Sequence, residues 1–100
     1  MQATANVQTE KPQRYMKALV NHFGRKVTAS YENNRGAINF GFGRCEIQAH
    51  NKSLNFHIHG ENKANLEKLK QIISSHFKRF AKNEEPVFVW SNVEVEDSIN

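Results

Sequence analysis

The sequence predicts an α+β fold, a two-layer sandwich in which two helices cover one face of an antiparallel sheet. Apolar residues alternate with polar ones in three short runs between Ala37 and His59, and this period of two indicates half-buried strands. Two other segments, 12–23 and 63–81, carry apolar stripes at helical spacing. The predicted order is helix, four-stranded antiparallel meander, helix and short final strand.

Each helix has its own start and stop signals. Pro12 suits the first position of the first helix, and Gly24 supplies its stop. Asn62 can cap the second helix, which Pro86 follows. Both apolar stripes are expected to pack on the same face of the sheet.

The turns predict how the strands pair. A Gly43-Arg44 turn, with glycine first as in type II′, places Phe40 opposite Ile47. A four-residue loop, 50–53, places Ile47 opposite Phe56. The meander begins with a strand at 26–31, joined to the next by a turn at 33–36. We therefore expect Phe40, Ile47 and Phe56 to be buried together with Cys45.

The two ends of the chain lack strong patterns. Residues 1–10 are polar and are expected to be disordered. Residues 11–91 are expected to form the single domain, and Val87–Trp90 its final strand, although the sequence does not place that strand in the sheet. The acidic residues 92–100 are predicted to be a flexible tail.

The charge is concentrated in the body of the chain. The formal net charge is +4. Between Lys11 and Trp90, fourteen Lys and Arg face six Glu, a surplus of 14 − 6 = +8. Such a surface attracts anions of many kinds, but it also simply keeps a protein soluble.

No apolar run approaches the roughly 20 residues of a membrane span, and no signal peptide is recognised at the start of the sequence. We expect a cytoplasmic protein without membrane association. The lone Cys45 belongs to an inward-facing set, so we expect it to be buried and inert.

His57 and His59 are alternate strand residues, so both imidazoles project from one face, roughly 6.5–7 Å apart along the strand. The predicted register places Glu46 opposite His57 and Arg44 opposite His59. His57, His59 and Glu46 are therefore only weak candidates for a metal site, because durable sites use three or four ligands and Arg44 would repel a cation. An ordinary Glu–His contact between strands explains the same pattern, and we expect no bound metal or other cofactor.

His22 and His76 each lie beside the apolar stripe of their own helix. With Lys26 and Arg79 they form the predicted ligand-binding set, which could recognise a carboxylate or phosphate. A structural role at the seam between helix and sheet is the alternative for both histidines.

Enzyme motifs are absent from the sequence: it has no Ser-centred elbow, phosphate loop or dinucleotide fingerprint. We therefore expect a non-enzymatic protein, with a small metal-dependent enzyme as an alternative. A nucleic-acid-binding protein is the other alternative, but an RNA-binding sheet needs exposed aromatics, and the predicted strands turn theirs inward.

Several blocks of the sequence resemble one family. They are His22-Phe23-x-x-Lys26, Gly36-x-Ile38-x-Phe40-x-Phe42-Gly43-x-Cys45, His76-x-x-Arg79-Phe80-Ala81-x-x-Glu84 and Trp90. From about Pro12 to Trp90 the chain resembles a small bacterial family known as domain of unknown function 2218. Gly41 departs from the pattern, which would have proline before Phe-Gly.

The resemblance implies a two-layer sandwich like the C-terminal domain of phosphohexomutases. It also implies an accessory role near ferric siderophores, because such domains occur alone or joined to siderophore-interacting flavoproteins. We therefore expect a small binding or accessory domain linked to iron metabolism. Its expected partner is a flavin-dependent siderophore-interacting protein or a small anionic ligand.

Overall fold

The computed structural model describes residues 1–93 of the chain. Two α-helices and six β-strands form it, with a short 3₁₀ turn, Lys82–Glu84, after the second helix. In chain order the elements are β1 (Gln2–Gln8), α1 (Pro12–Phe23), β2 (Thr28–Glu32), β3 (Arg35–Asn39), β4 (Gly43–Ala49), β5 (Ser53–Gly60), α2 (Lys63–Phe80) and β6 (Ser91–Val93).

The six strands form one sheet in the order β2-β3-β4-β5-β1-β6, and all neighbours are antiparallel. One face of this sheet shares a single apolar core with buried residues of both helices, and the other face is polar. The α+β class is therefore confirmed. The predicted four-stranded meander, β2 to β5, is only part of a larger sheet.

The expectation that residues 1–10 are disordered is wrong. Strand β1 lies in the interior of the sheet and pairs with β5 over its whole length, from Gln2 to Gln8. Its inward side chains, Ala3, Ala5 and Val7, are buried. The alternation was present in the sequence, but two small alanines among polar neighbours make a weak apolar signal.

The register predicted for β3 and β4 is also wrong. Ile47 lies opposite Gly36 rather than Phe40, because the connection spans residues 40–42 and not a Gly43-Arg44 turn. Gly41 makes this connection with a φ of +93°, a conformation that excludes proline. The slip moves the pairing by an even number of residues, so the inward set of β4 is unchanged.

The pairing of β4 with β5 follows the prediction. Ile47 lies opposite Phe56, Glu46 opposite His57 and Arg44 opposite His59, as predicted. The register predicted for β2 and β3, with Tyr31 opposite Ile38, is wrong: the hairpin turns through Asn33 and Asn34 only, so Tyr31 lies opposite Gly36. Strand β2 begins at Thr28 and ends at Glu32, later than predicted.

Both helices begin where the sequence predicts. Pro12 starts α1, and the backbone N–H of Gly24 donates to Val20 at its end. The side chain of Asn62 accepts a hydrogen bond of 2.9 Å from the backbone N–H of Asn65 and so caps α2. None of the helices in residues 1–93 is long and apolar enough to cross a membrane.

The final strand is not at Val87–Trp90. That segment has no partner strand among the described residues; instead Phe88 packs on Phe56, and the indole N–H of Trp90 donates to Ser74. The sequence of this segment is typical of a strand because its residues are β-branched or aromatic, but it contributes to the fold only through the packing of Phe88 and Trp90 on the core. The paired strand β6 comes after it and adds to β1, so Asn92 and Val93 belong to the sheet rather than to a tail. The rest of the predicted tail, 94–100, lies outside the described residues.

Three of the four residues expected to be buried together are in the core: Cys45, Ile47 and Phe56 are each at most 2% exposed. Phe40 is not, since the chain leaves the sheet after Asn39 and Phe40 is only partly buried. Cys45 lies on the inward face of β4.

Burial raises the pKa of the Cys45 thiol. We therefore predict that the native protein does not react with a thiol reagent such as Ellman's reagent, because the thiolate is the reacting form and neither solvent nor reagent reaches it. Urea-unfolded protein should react at once. Rapid modification without urea would contradict the burial of Cys45.

Candidate functional site

The histidines predicted to bind a ligand meet where the two helices end. His22 lies in the last turn of α1, and His76 lies one turn before the end of α2. Their ring centroids are 5.1 Å apart, with the ring planes inclined by 46°. The Nδ1–H of His76 donates to the carbonyl of Ile72 at 2.8 Å, which leaves Nε2 as the ring nitrogen that can contact a ligand. His22 is exposed, and His76 is half-buried.

Phenylalanine rings surround the two imidazoles. Phe23 lies 4.9 Å from His76, Phe80 lies 5.6 Å from His22, and Phe40 packs edge-on against Phe23 at 5.0 Å. Phe42 continues the row, 5.8 Å from Phe40. All four are partly exposed, so the rings form a continuous aromatic patch at the surface.

Positive charges border this patch. Partial burial lowers the pKa of His22, and it is lowered further by His76, Arg25, Arg79 and Lys26. None of these Arg and Lys side chains forms an ion pair within residues 1–93. We call the whole surface the aromatic–basic cluster: His22, Phe23, Arg25, Lys26, Phe40, Phe42, Lys68, His76, Arg79 and Phe80.

The structure thus brings together all four residues of the predicted ligand-binding set. The predicted set did not include the other six members of the cluster, which are Phe23, Arg25, Phe40, Phe42, Lys68 and Phe80. Arg25 precedes Lys26 in an exposed turn, Lys68 lies 4.6 Å above the ring of Phe42, and Phe40 joins the cluster only because β3 ends before it. Arg25 could have been found from the sequence, because it is adjacent to the predicted Lys26 in the turn that follows His22 and Phe23.

A second group lies on the opposite, polar face of the sheet. One potential ligand atom from each of Glu46, His57 and His59 lies within 4.8 Å of the others. The rings of His57 and His59 stack at a centroid distance of 4.8 Å with a 30° tilt. Both histidines are half-buried, and Glu46 is exposed.

Strand β1 completes the surroundings of these histidines. The Nε2–H of His57 donates to Oε1 of Gln2 at 2.6 Å. Burial lowers the pKa of His59, and the neighbouring Arg44 and His57 lower it further, against Glu46, which raises it. The Nε of Arg44 lies 3.8 Å from Oε2 of Glu46, and both side chains are about half exposed.

Two surface depressions adjoin this second group. One of about 600 Å³ is lined in part by Glu46 and His57, and another of about 310 Å³ is lined in part by Arg44 and His59. A third lies near the start of α1, around Pro12 and His50. None of these three depressions includes His22 or His76.

Comparison with known proteins places the chain in a family without assigning it a function. Residues 4–91 match the family model described as "uncharacterized protein conserved in bacteria (DUF2218)", so the match includes most of β1. The NMR structure of PA4090 from Pseudomonas aeruginosa is similar, with 28% identity and a TM-score of 0.80 over 94% of this chain and 98% of that one. No curated protein matches the chain. The chain therefore belongs to the DUF2218 family of uncharacterized bacterial proteins.

Proposed function

We propose that the protein is a non-enzymatic binding domain that holds an anionic ligand at the aromatic–basic cluster. The proposed ligand is an anionic ferric chelate, and the proposed setting is bacterial iron handling. The observation that carries this proposal is the meeting of His22 and His76, 5.1 Å apart, beside cations that no acidic group neutralises within residues 1–93.

The charge arrangement favours an anion. The groups that lower the pKa of His22 include Arg25, Arg79 and Lys26, and every one of them is positive. Bringing a carboxylate, phosphate or phenolate among them would relieve this repulsion. A guanidinium can also donate two parallel hydrogen bonds to two oxygens of a carboxylate or phosphate, which orients the ligand as well as attracting it.

The aromatic rings favour a particular class of anionic ligand. Phe23, Phe40 and Phe80 present faces and edges beside the cations, so a ligand that is both flat and negatively charged would be complementary to both parts of the surface. The ammonium of Lys68, 4.6 Å from the centre of the Phe42 ring, is one cation that packs on a ring of this cluster. Catecholate groups of ferric siderophores combine an aromatic ring with anionic oxygens.

The link to iron rests on the resemblance to domains joined to siderophore-interacting flavoproteins, and such a flavoprotein is the partner we propose. Nucleic-acid binding, the alternative function, has less support. Within residues 1–93 the side chains on the face of His57 include no Phe, Tyr or Trp, so that face offers no stacking platform for RNA.

The test is titration with a soluble trianionic ferric tricatecholate complex, followed by quenching of the fluorescence of Trp90 or by calorimetry. We expect saturable binding that weakens as salt is raised, because exposed charges are screened. A variant with Lys26→Gln and Arg79→Gln should bind at least about tenfold more weakly, which is the effect of losing about 1.4 kcal/mol.

The matched control carries Lys11→Gln and Lys63→Gln, which remove the same charge at the opposite ends of the two helices. It should bind nearly as well as the native protein. A neutral ferric trihydroxamate complex should bind poorly to both. Equal losses in the two double variants would mean that net charge, and not the cluster, governs binding, and the proposal would then be wrong.

A further inference from the structure

We propose that Glu46, His57 and His59 form a binding site for a divalent first-row transition-metal ion on the polar face of the sheet. This site is separate from the proposed anion site, because it lies on the face opposite the helices. It uses two imidazoles and one carboxylate, the donor set that Zn²⁺, Fe²⁺ and Ni²⁺ accept in proteins.

The strand register builds this arrangement. His57 and His59 are alternate residues of β5, and β4 places Glu46 directly opposite His57. Each side chain therefore leaves the sheet on the same side. Because the positions are fixed by paired backbone in the middle of a six-stranded sheet, the three donors are held close together before any ion binds.

The distances suit a single ion. Nitrogen or oxygen atoms bound to one tetrahedral ion at about 2.0–2.1 Å lie about 3.3 Å from each other. The potential ligand atoms here already lie within 4.8 Å of one another, and rotation of these partly exposed side chains can close the remaining gap. The flanking depressions leave room for water or a further ligand on the open side of the ion.

Gln2 orients one ligand. Its Oε1 accepts a hydrogen bond from Nε2–H of His57, so the lone pair on Nδ1 is the one available to an ion. Metal-binding histidines commonly donate their other ring N–H to an oxygen in this way, which fixes the tautomer. Sequence reasoning could not include Gln2, since β1 was not recognised as a strand.

Two cations near His59 oppose metal binding, the N-terminal ammonium of Met1 and, more strongly, Arg44. Its guanidinium approaches Glu46 at 3.8 Å, but both side chains are 54% exposed, so the pair is loose and can open to solvent. The sequence interpretation made this site only a weak candidate, because durable sites use three or four ligands and because Arg44 would repel a cation. The geometry indicates that Arg44 weakens the site without blocking it.

The experiment measures Zn²⁺ binding to untagged protein by calorimetry, with Mg²⁺ in a parallel titration. We expect one saturable Zn²⁺ site and no Mg²⁺ binding. His57→Gln, His59→Gln and Glu46→Gln should each weaken Zn²⁺ binding at least about tenfold. His50→Gln is the matched control, since His50 lies in the β4–β5 turn and should not contribute.

Arg44→Gln gives a result that a merely structural Glu–His contact does not predict: tighter Zn²⁺ binding than in the native protein. An NMR amide spectrum of each variant checks that it remains folded. Absence of saturable Zn²⁺ binding would overturn the proposal, as would equal weakening by His50→Gln or no gain from Arg44→Gln. Anion binding at the aromatic–basic cluster is measured separately and does not depend on any of these outcomes.

Discussion

Replacement of Val7 by aspartate is expected to lower the free energy of unfolding by about 4 kcal/mol or more, enough to unfold much of the protein. Val7 is fully buried on β1, opposite Leu54 of β5. The described core residues around Val7 are apolar, so a carboxylate there either stays ionised at a high cost in free energy or takes up a proton. Urea denaturation followed by circular dichroism measures the change.

The matched control is Asn6→Asp, one residue earlier on the same strand. Asn6 is exposed on the polar face, so the same charge there should change stability by no more than about 0.5 kcal/mol. If both variants were as stable as the native protein, residues 1–8 would not form an interior strand in solution.

Replacement of Gly43 by alanine is the second large effect we expect, a loss of about 3 kcal/mol. A Cβ on Gly43 would lie 2.4 Å from the carbonyl oxygen of His59 and 2.6 Å from Cδ1 of Leu69. The first contact is with backbone of the paired strand, so side-chain rotation cannot relieve it. The strands would have to separate where β4 begins.

Gly41→Asn is the control for this prediction. Gly41 needs a positive φ but has open space around it, and asparagine tolerates such a conformation better than most residues. We expect a loss of about 1 kcal/mol or less from this change. A larger loss at Gly41 than at Gly43 would contradict the close approach of β4 to β5 and α2.

The parts of the fold that could be predicted are those with strong local signals. The helix starts at Pro12 and Asn62 depend on neighbouring residues only, and the β4–β5 register follows from two clear alternating runs. Strand β1 was missed because its ladder with β5 joins residues more than forty positions apart. No local pattern reports such a pairing when the inward side chains are mostly alanine.

The candidate site, like the fold, could be predicted from the sequence only in part. Helical spacing placed His22 and His76 beside their apolar stripes, but only tertiary packing brings the two rings to 5.1 Å. Phe40 was assigned to the core because alternation continues through it, whereas the turn at Gly41 diverts the chain and adds Phe40 to the surface cluster. Thus the sequence pattern identified residues with suitable side chains, whereas helix packing and the turn at Gly41 determined which of them lie together.

The most direct test of the proposed function is an NMR titration of the five histidine rings against pH, with and without the diamagnetic gallium tricatecholate complex. His22 should begin with a pKa below the usual 6.5, because burial and its cationic neighbours disfavour the charged ring. A bound anion favours that charged ring, so the pKa of His22 should rise, and the signals of His76 should shift with it. An unchanged pKa of His22, with ligand-dependent shifts confined to His57 and His59, would contradict anion binding at the aromatic–basic cluster.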